Sequence, residues 1–127
     1  MRLLFTILSI AYIAGIFLFA DSSVVSDLSS FNPYSLLHIP LYGILTVLLI
    51  FSFVPITQLP NNSMTNRPRF LLAASVVFIV AITDEIHQAY VPGRDASITD
   101  VLLDLVGIIL VLFFFFRLLK TKPSLIH

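Results

Sequence analysis

Four long apolar stretches, Leu3 to Ala20, Tyr34 to Val54, Phe70 to Gln88 and Asp100 to Leu119, constrain the fold of this chain more than any other feature. A hydrocarbon core of about 30 Å takes roughly 20 helical residues to cross. No stretch shows strand alternation, and a membrane barrel needs about eight shorter alternating segments, so helices are the structure that satisfies the backbone in lipid. The expected fold is all-α: one integral membrane bundle of four transmembrane helices over residues 1–127. Composition agrees, since 58% of the residues are hydrophobic, 11% are charged and the mean hydropathy is +1.03, against roughly 45–50% apolar usage in soluble domains.

The run from Leu3 to Ala20 exceeds the roughly 7–15 residues of a signal-peptide core, and Leu18 is too bulky for a small-residue cleavage site. It is expected to remain as the first helix. Basic residues flank the spans at Arg2, Arg67, Arg69, Arg117, Lys120 and Lys122, whereas the first loop carries Asp21 and Asp27 and neither Lys nor Arg. The positive-inside rule then places both termini and the second loop, Pro55 to Pro68, in the cytoplasm, with the first and third loops outside. The absence of cysteine excludes disulfides, thiolate metal sites and cysteine nucleophiles. Formal net charge is zero and no basic cluster suggests nucleic acid.

Ionised side chains at membrane depth cost at least about 2.5–3.5 kcal/mol on insertion scales, so they mark function by default. Here they gather in one leaflet. The third span ends in Asp84, Glu85, His87 and Gln88, the third loop carries Arg94 and Asp95, and the fourth span starts with Asp100 and Asp104. His38 and Tyr42 lie at the matching end of the second. Residues three or four apart share a helix face, which pairs Asp84 with Gln88, His38 with Tyr42, and Asp100 with Asp104 and Gly107.

Each of these has a plainer reading. Asp100 fits a capping box with Ser97, but Asp104 is one turn too deep for that, and Gly107 would let another helix approach closely. His38 alone reads as a hydrogen-bonded structural histidine. Pro40 is expected to break a helical bond and free the Leu36 carbonyl beside it, behind a helix start at Asn32 and Pro33. Arg94, behind the Pro92-Gly93 turn, reads either as an interfacial snorkelling arginine or as an anion clamp whose planar fork matches phosphate or carboxylate oxygens. The run Phe113 to Phe116 is packing or lipid-facing bulk.

The string Asp84-Glu85-Ile86-His87-Gln88-Ala89-Tyr90-Val91-Pro92-Gly93-Arg94, followed by Ser97, Asp100 and Gly107, resembles the signature of the VanZ-like family. His38 with Tyr42 is similar to the family's other motif, a histidine and an aromatic residue four positions later. The likeness covers most of the second half of the chain and part of the second helix; the first helix and second loop match only in hydropathy. Three positions depart from the pattern: Tyr34-Ser35 stands where members often carry Asp-Lys, Asp104 where Asn is frequent, and Val111 where a Gly is frequent. If that lysine helps hold an anionic ligand in the family, this chain must use Arg94 alone or bind something less charged. The resemblance implies a cell-envelope role, an association with resistance to the glycopeptide teicoplanin, and kinship with membrane enzymes that act on lipid head groups.

Three functions compete. In the first, an enzyme acts on a phosphate-bearing lipid or lipid-linked envelope precursor, with His38 or Glu85 as nucleophile or general base, Asp100 orienting the histidine, Arg94 on the phosphate, and Gln88 on the head group; Asp84, Tyr42 and Asp104 complete the binding surface. A variant places Asp84, Glu85 and His38 around a divalent metal, without ligand spacing specific for one; the sequence names no cofactor. The second is a binder that masks such a lipid. The third is a small transporter, for which polarity should run through the full membrane depth.

Overall fold

The structure, a computed structural model, describes residues 1–20, 36–59, 63–92 and 96–120. Among the described residues there are four α-helices, α1 (Arg2–Ala20), α2 (His38–Phe53), α3 (Ser63–Ala89) and α4 (Ile98–Lys120), with 3-10 residues at 36–37 ahead of α2 and a 3-10 turn at Ile56–Gln58 between α2 and α3. Among the described residues there is no strand. Three helices are long and apolar enough to cross a membrane, over Arg2–Phe19, Asn66–Ala89 and Ile98–Leu118. The fourth, α2, has 16 residues, about 24 Å of helix.

The two largest boundary differences from the sequence reading both fall at prolines; the other helix ends agree to within two residues. The second helix was expected from Tyr34, which lies outside the described residues together with Asn32 and Pro33; α2 proper starts at His38. Pro40 is then its third residue; residues 36–37 ahead of it are 3-10 with Leu37 in the αR region, and the ring denies the Leu36 carbonyl the amide that would carry α-helix further back, as expected. In α3 the helix starts seven residues before the expected Phe70 and carries Pro68 inside it. Proline there removes only the bond to Met64, close to the helix start.

α2 packs against all three other helices, and α3 packs against α4. The buried face of α3 runs Phe70, Ala73, Val77, Ala81, and it meets Leu45, Leu49 and Ile50 of α2, Ile108 of α4 and Ile16 of α1 in one core. That three-and-four spacing is one helix stripe. The opposite faces expose Leu71, Leu72, Ile79, Ile82, Leu102, Ile109 and Leu110, which suits lipid as the surrounding medium. Hydroxyls along the spans bond back to their own helices, as Ser9 does to the Phe5 carbonyl and Thr83 to that of Ile79. Of the phenylalanine run, Phe115 and Phe116 pack against Phe70, while Phe113 and Phe114 are exposed.

Helices in lipid gain no hydrophobic drive from mutual contact and depend on close van der Waals packing, for which small residues are selected. Gly107 shows this at the α2–α4 crossing. A Cβ built there would overlap the Ile39 carbonyl oxygen and lie 3.2 Å from the Gly43 amide nitrogen, backbone atoms that cannot rotate away. At Gly43 the nearest atoms would stay at 3.6 Å (Val111) and 3.7 Å (the Gly107 carbonyl), ordinary contact. Gly107→Ala should therefore destabilise the bundle by about 3 kcal/mol, the upper end of overpacking costs, while Gly43→Ala changes little. Thermal unfolding of the two variants in detergent checks this; equal stability would mean the crossing is looser than described.

Candidate functional site

Along α3 the stripe of buried residues turns from apolar to polar in its last two turns, from Ala81 to Asp84 and Gln88. The start of α2, with His38 and Tyr42, and the start of α4, with Asp100 and Asp104, lie at the same end because consecutive helices run antiparallel. His38 is 4% exposed. Its Nδ1 is 2.8 Å from Asp104 Oδ1, and its Nε2 lies 3.8 Å from Asp100 Oδ2. Asp104, fully buried, is thus the residue in hydrogen-bond contact with the ring, the position that the sequence reading gave to Asp100.

A second layer sits beside the first. Tyr42 Oη donates to Asp84 Oδ2 at 2.9 Å, and Gln88 Nε2 donates to the same oxygen at 3.1 Å. Glu85 Oε2 accepts the Ser97 backbone N–H at 2.9 Å, so Glu85 takes the amide that a capping box would have assigned to Asp100. That bond ties the end of α3 to the start of α4 and leaves the Asp100 carboxylate to His38. His38, Glu85 and Asp100 each offer one atom to a group within 4.8 Å of one another. Asp84 Oδ1, Glu85 Oε1 and Asp104 Oδ2 are buried and have no hydrogen-bond partner among the described residues. Arg94, the expected anion clamp, lies outside the described residues.

A cavity of about 470 Å³ opens beside this layer. Its polar floor is His38, Asp84 and Gln88; its walls are Leu37 and Leu41 of the α2 side and Ala11, Tyr12, Gly15, Ile16 and Phe19 of α1. Phe19 and Leu37 are more than half exposed, so the rim is apolar and open. Tyr12 anchors α1 to α2 through a 2.7 Å bond from its hydroxyl to the Leu41 carbonyl. The part played by α1 was missed in the sequence. Its signal was Tyr12, whose hydroxyl, unlike those of Thr6 and Ser9, is too far out on its side chain to bond back to its own helix and needs a partner across the bundle. His87 stands apart, its ring edge-on to Phe17 at 5.5 Å.

The opposite end of the bundle is basic. Arg2 Nε donates to the Ser52 carbonyl at 3.0 Å, Arg69 Nη1 to Gln58 Oε1 at 3.4 Å, and the Arg67 guanidinium lies 5.8 Å from the centroid of the Phe116 ring. Between the two ends the core is Leu45, Leu49, Ile50 and Val77. The hydroxyls of Thr46 and Ser9 are buried along that stretch, but the charged side chains among the described residues lie at the ends.

No curated protein matches the chain, and no solved structure does. The family model VanZ/LLP1 matches residues 3–120, a span that runs from the first helix through the last and takes in every residue of the polar layer. The chain belongs to the VanZ/LLP1 family.

Proposed function

We propose that this is a multi-pass cell-membrane protein with four transmembrane helices and cytoplasmic termini, which cleaves or exchanges the phosphate-linked head group of an outer-leaflet lipid or lipid-linked envelope precursor. The observation that carries the reading is the cavity, apolar along α1 and polar at His38, Asp84 and Gln88. Such a cleft matches one acyl or prenyl chain joined to one polar head. The basic end, with Arg2, Arg67 and Arg69, supports placing the opposite, polar end outside. Exposed Leu36 and Leu37 extend the apolar surface of α2 beyond its 16 helical residues, which supports a fourth crossing.

The chemistry follows from the Asp104–His38 pair. A carboxylate on Nδ1 fixes the ring and its tautomer, leaving Nε2 to take a proton. An attacking water or alcohol gives that proton to His38 as its oxygen bonds to phosphorus, and the departing head-group oxygen receives it as its own bond to phosphorus breaks. Arg94 would hold the phosphate oxygens through its planar fork. Gln88 and Tyr42, bound to Asp84, shape the floor on which the head group rests.

A masking binder needs the same cavity without proton transfer, and the predominance of apolar wall over polar floor favours it as the second reading. Lipidomics of membranes from cells expressing the protein, its His38→Ala form or neither separates the two. A general base contributes typically 10²–10⁴-fold, so an enzyme should shift head-group composition in a manner lost in His38→Ala. A composition indifferent to His38, with lipid still bound, leaves the binder. Altered teicoplanin susceptibility would follow from a changed outer leaflet.

A further inference from the structure

We infer that His38, Glu85 and Asp100 form a binding site for one divalent transition-metal ion, of Zn²⁺ or Mn²⁺ chemistry. The three come from three helices, α2, α3 and α4, and offer their ligand atoms within 4.8 Å of one another. His38 Nε2 and Asp100 Oδ2 are already 3.8 Å apart. Ligands of a single ion with bonds of about 2.0–2.2 Å lie roughly 3–3.5 Å apart, so small side-chain rotations suffice. One imidazole with two carboxylates is a donor set for Zn²⁺ or Mn²⁺; an all-oxygen set would suit Mg²⁺ or Ca²⁺.

Two further observations point to an ion. Glu85 is 5% exposed and its Oε1 is buried with no hydrogen-bond partner among the described residues, while Oε2 is held by the Ser97 amide. A carboxylate oxygen in that state is costly unless a cation meets it. The Asp104 Oδ1 to His38 Nδ1 contact at 2.8 Å is also the arrangement by which an outer carboxylate fixes a metal-binding histidine, its Nδ1–H held and Nε2 turned to the ion. Three carboxyl groups stand about the His38 imidazole: Asp104 at 2.8 Å, Asp100 at 3.8 Å, and Glu85 with its ligand atom in the same group. A divalent ion would offset much of that excess of negative charge.

The inference concerns the same layer of residues as the head-group reading. Ion and proton compete for the one lone pair on His38 Nε2, so His38 acts as general base only in the ion-free chain. The inference is tested without lipid, so each reading can fail alone. The full chain, purified in detergent and stripped with EDTA, is titrated with Zn²⁺ and with Mn²⁺, and bound ion is counted by elemental mass spectrometry. One ion per chain is expected. Glu85→Gln keeps an acceptor for the Ser97 amide and Asp100→Asn keeps its shape, so both should fold; unchanged melting without ion verifies this. Each should weaken binding by more than the roughly 10–100-fold that loss of an outer partner costs, whereas His87→Ala should bind as wild type does. Absence of stoichiometric ion in the wild-type protein, or binding in Glu85→Gln and Asp100→Asn equal to wild type, overturns the inference. Lipid turnover that persists in EDTA and is lost in His38→Ala would leave the head-group reading standing with His38 as its base, whatever the ion titration shows.

Discussion

Gly15→Phe should bring lipid turnover to background while the bundle melts as the wild type does. Gly15 sits on the cavity wall in α1, and a Cβ added there meets nothing within 4 Å. A benzyl group at that point enters the space assigned to the lipid chain without displacing a packed atom. Gly15→Ala supplies the matched control. It fills almost none of the cavity and should keep function, and it should stabilise α1 by about 0.5–1 kcal/mol, the usual cost of glycine inside a helix. Both are read from turnover and from the melting temperature of the same preparations. Full turnover in a well-folded Gly15→Phe protein would mean the substrate does not use this cavity.

Arg94→Lys should lower lipid turnover or binding by roughly 10–100-fold, the equivalent of the about 1.5–3 kcal/mol carried by hydrogen bonds to charged groups. Arg94 is the only basic residue on the proposed outer side; the other Lys and Arg residues flank the proposed cytoplasmic ends of the spans. Lysine keeps the charge and loses the planar fork, so a phosphate clamp fails where a snorkelling anchor would survive. Asp95→Asn, the neighbouring change outside the signature, should be silent. A clamp on an outer-leaflet phosphate requires this loop to be outside. Because the chain has no cysteine, single substitutions suffice to check it: a cysteine at Asp95 should react with an impermeant reagent in intact cells and one at Asn62 should not. The opposite labelling pattern would invert the topology and remove the clamp.

The apolar helices were legible because hydropathy over about 20 residues is nearly sufficient to specify a span. Their ends were less so. Pro40 was read as a break and sets where α2 begins, whereas Pro68, read as a loop end, lies inside α3 near its start, where a missing amide hydrogen costs little. The polar end of the bundle was legible for a related reason: at three-and-four spacing, Asp84 with Gln88 and His38 with Tyr42 must share faces, and isolated polar groups in lipid need one another.

What spacing does not contain is the partner across helices. Nothing local says that Glu85 receives the Ser97 amide, or that Asp104 lies nearer the imidazole than Asp100 does. The contribution of α1 was hidden for a different reason. A residue facing a lipid-sized cavity has the same apolar character as one facing the bilayer, so Gly15, Ile16 and Phe19 look like ordinary membrane surface until the helices are assembled.

The central claim is that the cleft between α1 and the polar layer holds one phosphate-bearing lipid, and native mass spectrometry of the protein released from detergent tests it most directly. Wild type and Gly15→Ala should each retain one phosphorus-containing lipid per chain, and Gly15→Phe should retain none. Retention of the same lipid, at the same occupancy, by all three would contradict the account.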